Sequence, residues 1–128
     1  MNTKKVLGWH FTNRAGRLGH GDGRAVVEGE TLSVSGTPRL CERGLHASQN
    51  IVDALGYARG TRLWRVEVWG ELVRAADKIC GTHRRAARDY GDVSALVAAF
   101  ADWCAARAGT HAAHAAAPAA AEYAEYAA

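Results

Sequence analysis

Cysteine is scarce and odd in number, with only Cys41, Cys80 and Cys104 in 128 residues. An odd count without an export signal argues against a disulfide framework. The N-terminal run Met1 to Val6 lacks the apolar stretch of such a signal. No run along the chain approaches the length of a membrane-spanning helix. These absences lead to the expectation of a cytoplasmic protein with reduced thiols and no membrane partner. The P-loop and the glycine-rich dinucleotide fingerprint are also missing. Charge is nearly balanced, 16 basic against 13 acidic residues for a net +3, so direct nucleic-acid binding is not expected.

The length suits a single domain. Hydrophobic residues make up 48% of the chain, but much of that is alanine. The large apolar side chains fall between Val6 and Trp103. One globular domain is therefore expected over residues 1–109. The alanine-rich segment 110–128 offers little area to bury and is expected to be a frayed helix or a disordered tail.

Val6, Leu7, Trp9, His10 and Phe11 mark a first strand over 5–12. The following Gly/Arg-rich stretch, 13–24, reads as loop. Short strands at 25–28 and 31–34 are joined by a turn at Gly29-Glu30. Ser48 is expected to cap a helix whose apolar face carries Ile51, Leu55 and Ala58, with Gly60 as its terminating glycine. Alternation from Leu63 to Trp69 predicts a central strand, with Trp64, Val66 and Val68 on one side and the two valines buried against the Ser48 helix. Gly70 to Val73 continues it past a bulge. The segment 79–90 fits helix or strand. Asp92 caps a helix over 93–107 with a stripe of Val93, Leu96, Val97, Phe100, Trp103 and Cys104, ended by Gly109. The fold class is α+β: a small, mainly antiparallel sheet with one central helix and one covering C-terminal helix.

Several chemistries are open to these residues. Cys80 and His83 have C-x-x-H spacing, and Cys41 with His46 would complete a zinc set, but the second pair is loosely spaced and buried thiols explain the cysteines equally well. No metal is expected. A cysteine–histidine nucleophile has no local signature here. Gly16, Gly19, Gly21 and Gly23, with Arg14, Arg17, His20 and Arg24, form a basic loop able to fold over an anion or to remain a surface loop. Arg84, Arg85 and Arg88 form a cluster that can meet phosphate or an acidic protein partner, or can stand as a solvated basic face. His10, His46, Ser48 and Tyr57 lie on consecutive elements and are the candidate ligand-binding residues, although each histidine alone is more often a satisfied structural group.

Two resemblances attach to these residues. Trp9-His10-Phe11, Cys41 to Ser48, Asp53 to Ala58, Arg65 to Glu71 and Asp77-Lys78 resemble, in that order, a family of small phage and prophage proteins of unassigned function, over about residues 6 to 90. Alanine-rich tails also occur in that family. The second, more distant resemblance is to the ADP-ribosyltransferases. His10 looks like their first-strand histidine that holds the NAD ribose. Gly44 to Ser48 with Tyr57 looks like their second element, whose tyrosine stacks on nicotinamide. The catalytic glutamate has no clear match, with Glu71 and Asp77 the acidic candidates. The resemblances imply two functions. One is a phage accessory protein that binds and blocks a host protein, such as a defence component, in the manner of an anti-CRISPR inhibitor; it needs no cofactor and performs no catalysis. The other is an ADP-ribosyltransferase-like enzyme or NAD-type ligand binder. The missing carboxylate favours the first.

Overall fold

The computed structural model describes residues 4–19, 22–40 and 44–107. Among these residues five strands and two helices follow in the order β1 (Val6–Thr12), β2 (Thr31–Ser33), β3 (Leu45–Ala47), α1 (Ile51–Tyr57), β4 (Arg62–Arg74), β5 (Ile79–Asp92) and α2 (Ser94–Ala106). The fold is α+β with a mainly antiparallel five-stranded sheet. The expected tail at 110–128, with its boundary near Gly109, lies outside the described residues.

The long hairpin β4–β5 is the spine. β1 pairs antiparallel with β4, placing Val6 opposite Val68 and His10 opposite Trp64. The far edge of β5 carries two short strands end to end: β3 opposite residues 79–81 and β2 opposite 83–85. The register of β4 against β5 shifts three times, including between Trp69 and Leu72, where the sequence suggested a bulge at Gly70. These irregularities coil the sheet until its two edges meet. Trp9 and Ser48 exchange backbone hydrogen bonds of 2.7 and 3.0 Å, joining the end of β3 to β1. Gly8 permits that closure, because a Cβ there would stand 2.9 Å from the Ala47 Cβ.

The alternation of β4 divides the core. On the concave side Val6, Trp64, Val66, Val68, Ile79 and Ala86 pack with Val26 and Ala47. On the convex side Phe11 and Leu63 pack with Ala54, Leu55 and Ala58 of α1 and Val97 of α2. Val66 and Val68 are fully buried, as their spacing predicts, but they face away from α1. Period-two patterning identifies which residues share a side and leaves open which element covers it. The concave side is sealed instead by Leu18, Leu32 and Leu72. Trp64, 1% exposed, anchors this side, and its indole N–H donates to Thr12 Oγ1 at 2.9 Å.

Local expectations fail where tertiary bonds intervene. Ser48 does not cap α1, because its backbone is committed to β1. Asn50 caps instead, its side chain accepting from the Val52 N–H at 2.9 Å. The helix ends at Ala58 rather than Gly60. Ile51 is exposed, while Ala54, Leu55 and Ala58 are buried. Residues 25–28 form no strand: Ala25 makes only an isolated bridge to Arg17. The ambiguous segment 79–90 is strand, running to Asp92. Val93 is the N-cap of α2, and Asp92 supports it by accepting from the Ser94 N–H and hydroxyl, both at 3.1 Å. Of the expected α2 stripe, Val97 and Cys104 are buried, whereas Leu96 and Trp103 are 64% and 49% exposed.

Candidate functional site

A cavity of about 570 Å³ opens where β1 and β3 come together. That size falls within the range of small-molecule sites. His10 enters from β1, His46 from β3, Ser48 from the closure point and Tyr57 from the end of α1; all four line it. Backbone architecture explains the convergence. The Trp9–Ser48 bridge aligns the two histidine-bearing strands, and the short α1 then returns Tyr57 to the same opening. Gly44 starts this arrangement in the left-handed region, at φ 115°. A Cβ there would run into the Cys80 sulfur.

Arg84 is the residue that the sequence assigned to a different place. Charge clustering at 84, 85 and 88 predicts one basic cluster, facing phosphate, an acidic protein or solvent together. In a strand, however, neighbours point to opposite sides. Arg84 turns inward opposite Val68, is 2% exposed and lines the cavity. Arg85 turns outward to Glu67 at 3.1 Å, and Arg88 lies over the Tyr90 ring. The expected three-arginine surface patch therefore does not form. One guanidinium nitrogen of Arg84, Nη1, donates to the His46 carbonyl at 2.7 Å. The other, Nη2, is buried without a hydrogen-bond partner among the described residues.

The electrostatics follow from that buried cation. Burial, reinforced by the nearby Arg24, draws the Arg84 pKa down to about 10, and Asp22 and Cys80 oppose the shift. Burial also holds His10 well below the ordinary histidine range, with Arg84 and then His46 adding to the effect. His10 is thus a neutral imidazole at pH 7, able to donate or accept a hydrogen bond. Asp22 is the acidic residue among the described lining groups. Arg24 already holds it through two hydrogen bonds, of 2.8 and 3.0 Å, which keep its carboxyl below the usual range. Lys78 and Arg59 add further positive charge to the lining.

Glu71 and Asp77 do not line the cavity. Glu71 is exposed on β4, its backbone N–H donating to Thr82 Oγ1 at 3.2 Å. Asp77 accepts a hydrogen bond from the Tyr57 hydroxyl and so stands next to a lining residue. Of the candidate zinc set, Cys80 is fully buried and His83 stacks on Trp69, while Cys41 lies outside the described residues. No cluster of three or more metal-ligating side chains occurs among the described residues. Nor, among them, is any helix long and apolar enough to cross a membrane. His20 and Gly21 of the basic loop are outside the described residues, but Leu18, Gly19 and Asp22 beside them line the cavity.

No curated protein and no solved structure matches the chain. A family model covers residues 22–98, from the loop that carries Asp22 through β5 and into α2, and so takes in His46, Ser48, Tyr57 and Arg84 while leaving out the strand of His10. On that match the chain belongs to the family described as Domain of unknown function (DUF7666).

Proposed function

We propose that this domain binds a nucleotide-type small molecule, of which NAD is the model, in the cavity between β1, β3 and α1. The observation that carries this reading is the convergence of His10, His46, Ser48 and Tyr57, from four separate points of the chain, on one cavity. A filled, dry centre at this position would have favoured a purely protein-binding role. In the proposed complex the neutral His10 ring meets a ribose hydroxyl, and Tyr57 offers an aromatic face to a base. Transfer chemistry is not part of the proposal, because neither Glu71 nor Asp77 lines the space where positive charge would develop. The test is calorimetric titration with NAD, comparing the unmodified protein with His10→Ala and Tyr57→Ala. Saturable binding, lost in both variants and without transfer of labelled ADP-ribose, is the expected result. No binding at millimolar NAD would overturn it. Transfer abolished by Glu71→Ala or Asp77→Ala would replace binding by catalysis.

One observation supports a second reading, that of a phage-type accessory protein blocking a host defence component. α2 exposes Leu96 and Trp103, the latter stacked on Phe100 and covered by Arg107. Aromatic and arginine side chains are enriched at binding hot spots. Capture of a defined host protein, lost on Leu96→Asp with Trp103→Asp, would support this reading. Capture unaffected by both substitutions would count against it.

A further inference from the structure

The guanidinium of Arg84 is a cation held where folding alone gives it no reason to be. It is 2% exposed, it sits on the concave side of β5 opposite Val68, and only one of its terminal nitrogens is bonded among the described residues. An unpaired buried charge is destabilising, and an apolar side chain at that position would cost less. The Nη1 bond to the His46 carbonyl fixes the orientation of the group, and Arg84 is among the residues that line the cavity. Asp22 and Cys80 offset the cost of burying it only in part, since its pKa still falls to about 10. Asp22 is engaged by Arg24, and Lys78 and Arg59 contribute cations of their own to the lining.

We propose that Arg84 is the anchor for a phosphate group of the ligand, and that the ligands of this cavity are phosphate esters, with an organic diphosphate as the best fit. This inference deepens the nucleotide reading above and rests on it for the identity of the rest of the ligand. A phosphate oxygen supplies the missing acceptor for Nη2. The two negative charges of a diphosphate, one on each phosphorus, suit a lining that includes Arg84, Lys78 and Arg59, with Asp22 already held by Arg24. Of the lining residues, Arg84 is buried, whereas Tyr57 is half-exposed with Lys78 over its ring at 4.7 Å. The anion thus lies deepest and the base nearer the opening.

The test uses the full chain with pyrophosphate, ADP-ribose, NAD and, lacking phosphate, adenosine. Pyrophosphate and ADP-ribose are expected to bind and to compete with each other, and adenosine to bind far more weakly. Arg84→Met keeps the length of the side chain without charge and is expected to weaken ADP-ribose by about 100-fold. Arg84→Lys keeps charge without the fork and is expected to lose about tenfold. The unliganded Arg84→Met protein is expected to melt at or above the wild-type temperature, since an unpaired buried charge has gone. A purely structural arginine would give the opposite pair of results: a lower melting temperature and unchanged ADP-ribose binding. If Arg84→Met does not fold, the lysine variant and the wild-type competition decide, and absence of competition overturns the assignment. NAD binding that depends on His10 and Tyr57 but not on Arg84 removes the anchor and leaves the ligand reading standing. Pyrophosphate binding that depends on Arg84, without NAD binding, does the reverse. No binding of pyrophosphate, ADP-ribose or NAD overturns both.

Discussion

Trp64 and Thr12 offer the sharpest test of how the concave core is held. The indole is 1% exposed, and its N–H donates to Thr12 Oγ1 at 2.9 Å. The Thr12 hydroxyl spends its own proton on the Asn13 carbonyl at 2.9 Å, so it is oriented as an acceptor for Trp64. Thr12→Val keeps the shape and strands the buried indole N–H, at an expected cost of about 1–3 kcal/mol. Trp64→Phe loses the same bond and leaves part of the indole volume empty, an expected cost of about 2–3 kcal/mol. With both partners replaced, no polar group is left unpaired. The double variant is therefore expected to cost about 1 kcal/mol less than the two single changes together. In a domain of this size each kcal/mol moves the melting temperature by roughly 4–8 °C. Urea unfolding of the four proteins, with a common slope, measures the cycle. Additivity within about 0.3 kcal/mol would show that the bond contributes nothing and that Trp64 acts by volume alone.

His10 makes stability depend on pH. Its folded pKa lies below the unfolded value, so between the two the unfolded chain holds more protons. Stability is expected to fall as pH drops from about 6.5 toward the folded pKa, by at most about 1.4 kcal/mol per pH unit. His10→Gln should flatten that slope in urea midpoints taken from pH 7 to pH 5, and an unchanged slope would contradict the burial argument. Asp22, Asp89 and Asp92 are held below the usual carboxylate range, by hydrogen bonds from Arg24, Arg62 and Thr61 respectively. Their contributions are complete above the unfolded carboxylate pKa of about 4 and are lost as pH falls through the lower folded values, giving a second, more acidic limb. Gly44→Ala should destabilise the domain by about 1–3 kcal/mol through backbone strain and further by displacing Cys80. Thermal melts beside Gly19→Ala, where a Cβ meets open space, provide the control.

Much of this architecture can be read from short patterns. Trp64, Val66 and Val68 alternate cleanly, and their burial follows directly. His10, His46, Ser48 and Tyr57 were recognisable as a set because each lies near the end of an element, where side chains reach a common opening. The failures share one cause. Arg84-Arg85-Ala86-Ala87-Arg88 has neither a β-branched residue nor an apolar rhythm, so local propensity does not separate strand from helix. Without the strand assignment, Arg84 and Arg85 cannot be sent to opposite sides. Long-range pairing with β4 decides the matter, and that information is not local. Ser48 fails as a cap for the same reason, since its partner is Trp9, far upstream.

The pairing of β1 also constrains the order in which this chain acquires its shape. Thr12 faces Arg62 and Val6 faces Val68, so every β4 partner of the first strand is synthesised at least 50 residues after it. During translation β1 has apolar side chains and open backbone groups but nothing to bind. β4 and β5, adjacent in sequence, need only a short loop to meet, and the entropy of closing it is small. The hairpin is therefore expected to form first and to act as the template for β1, with the cavity, which needs both β1 and the end of β3, expected to close after it.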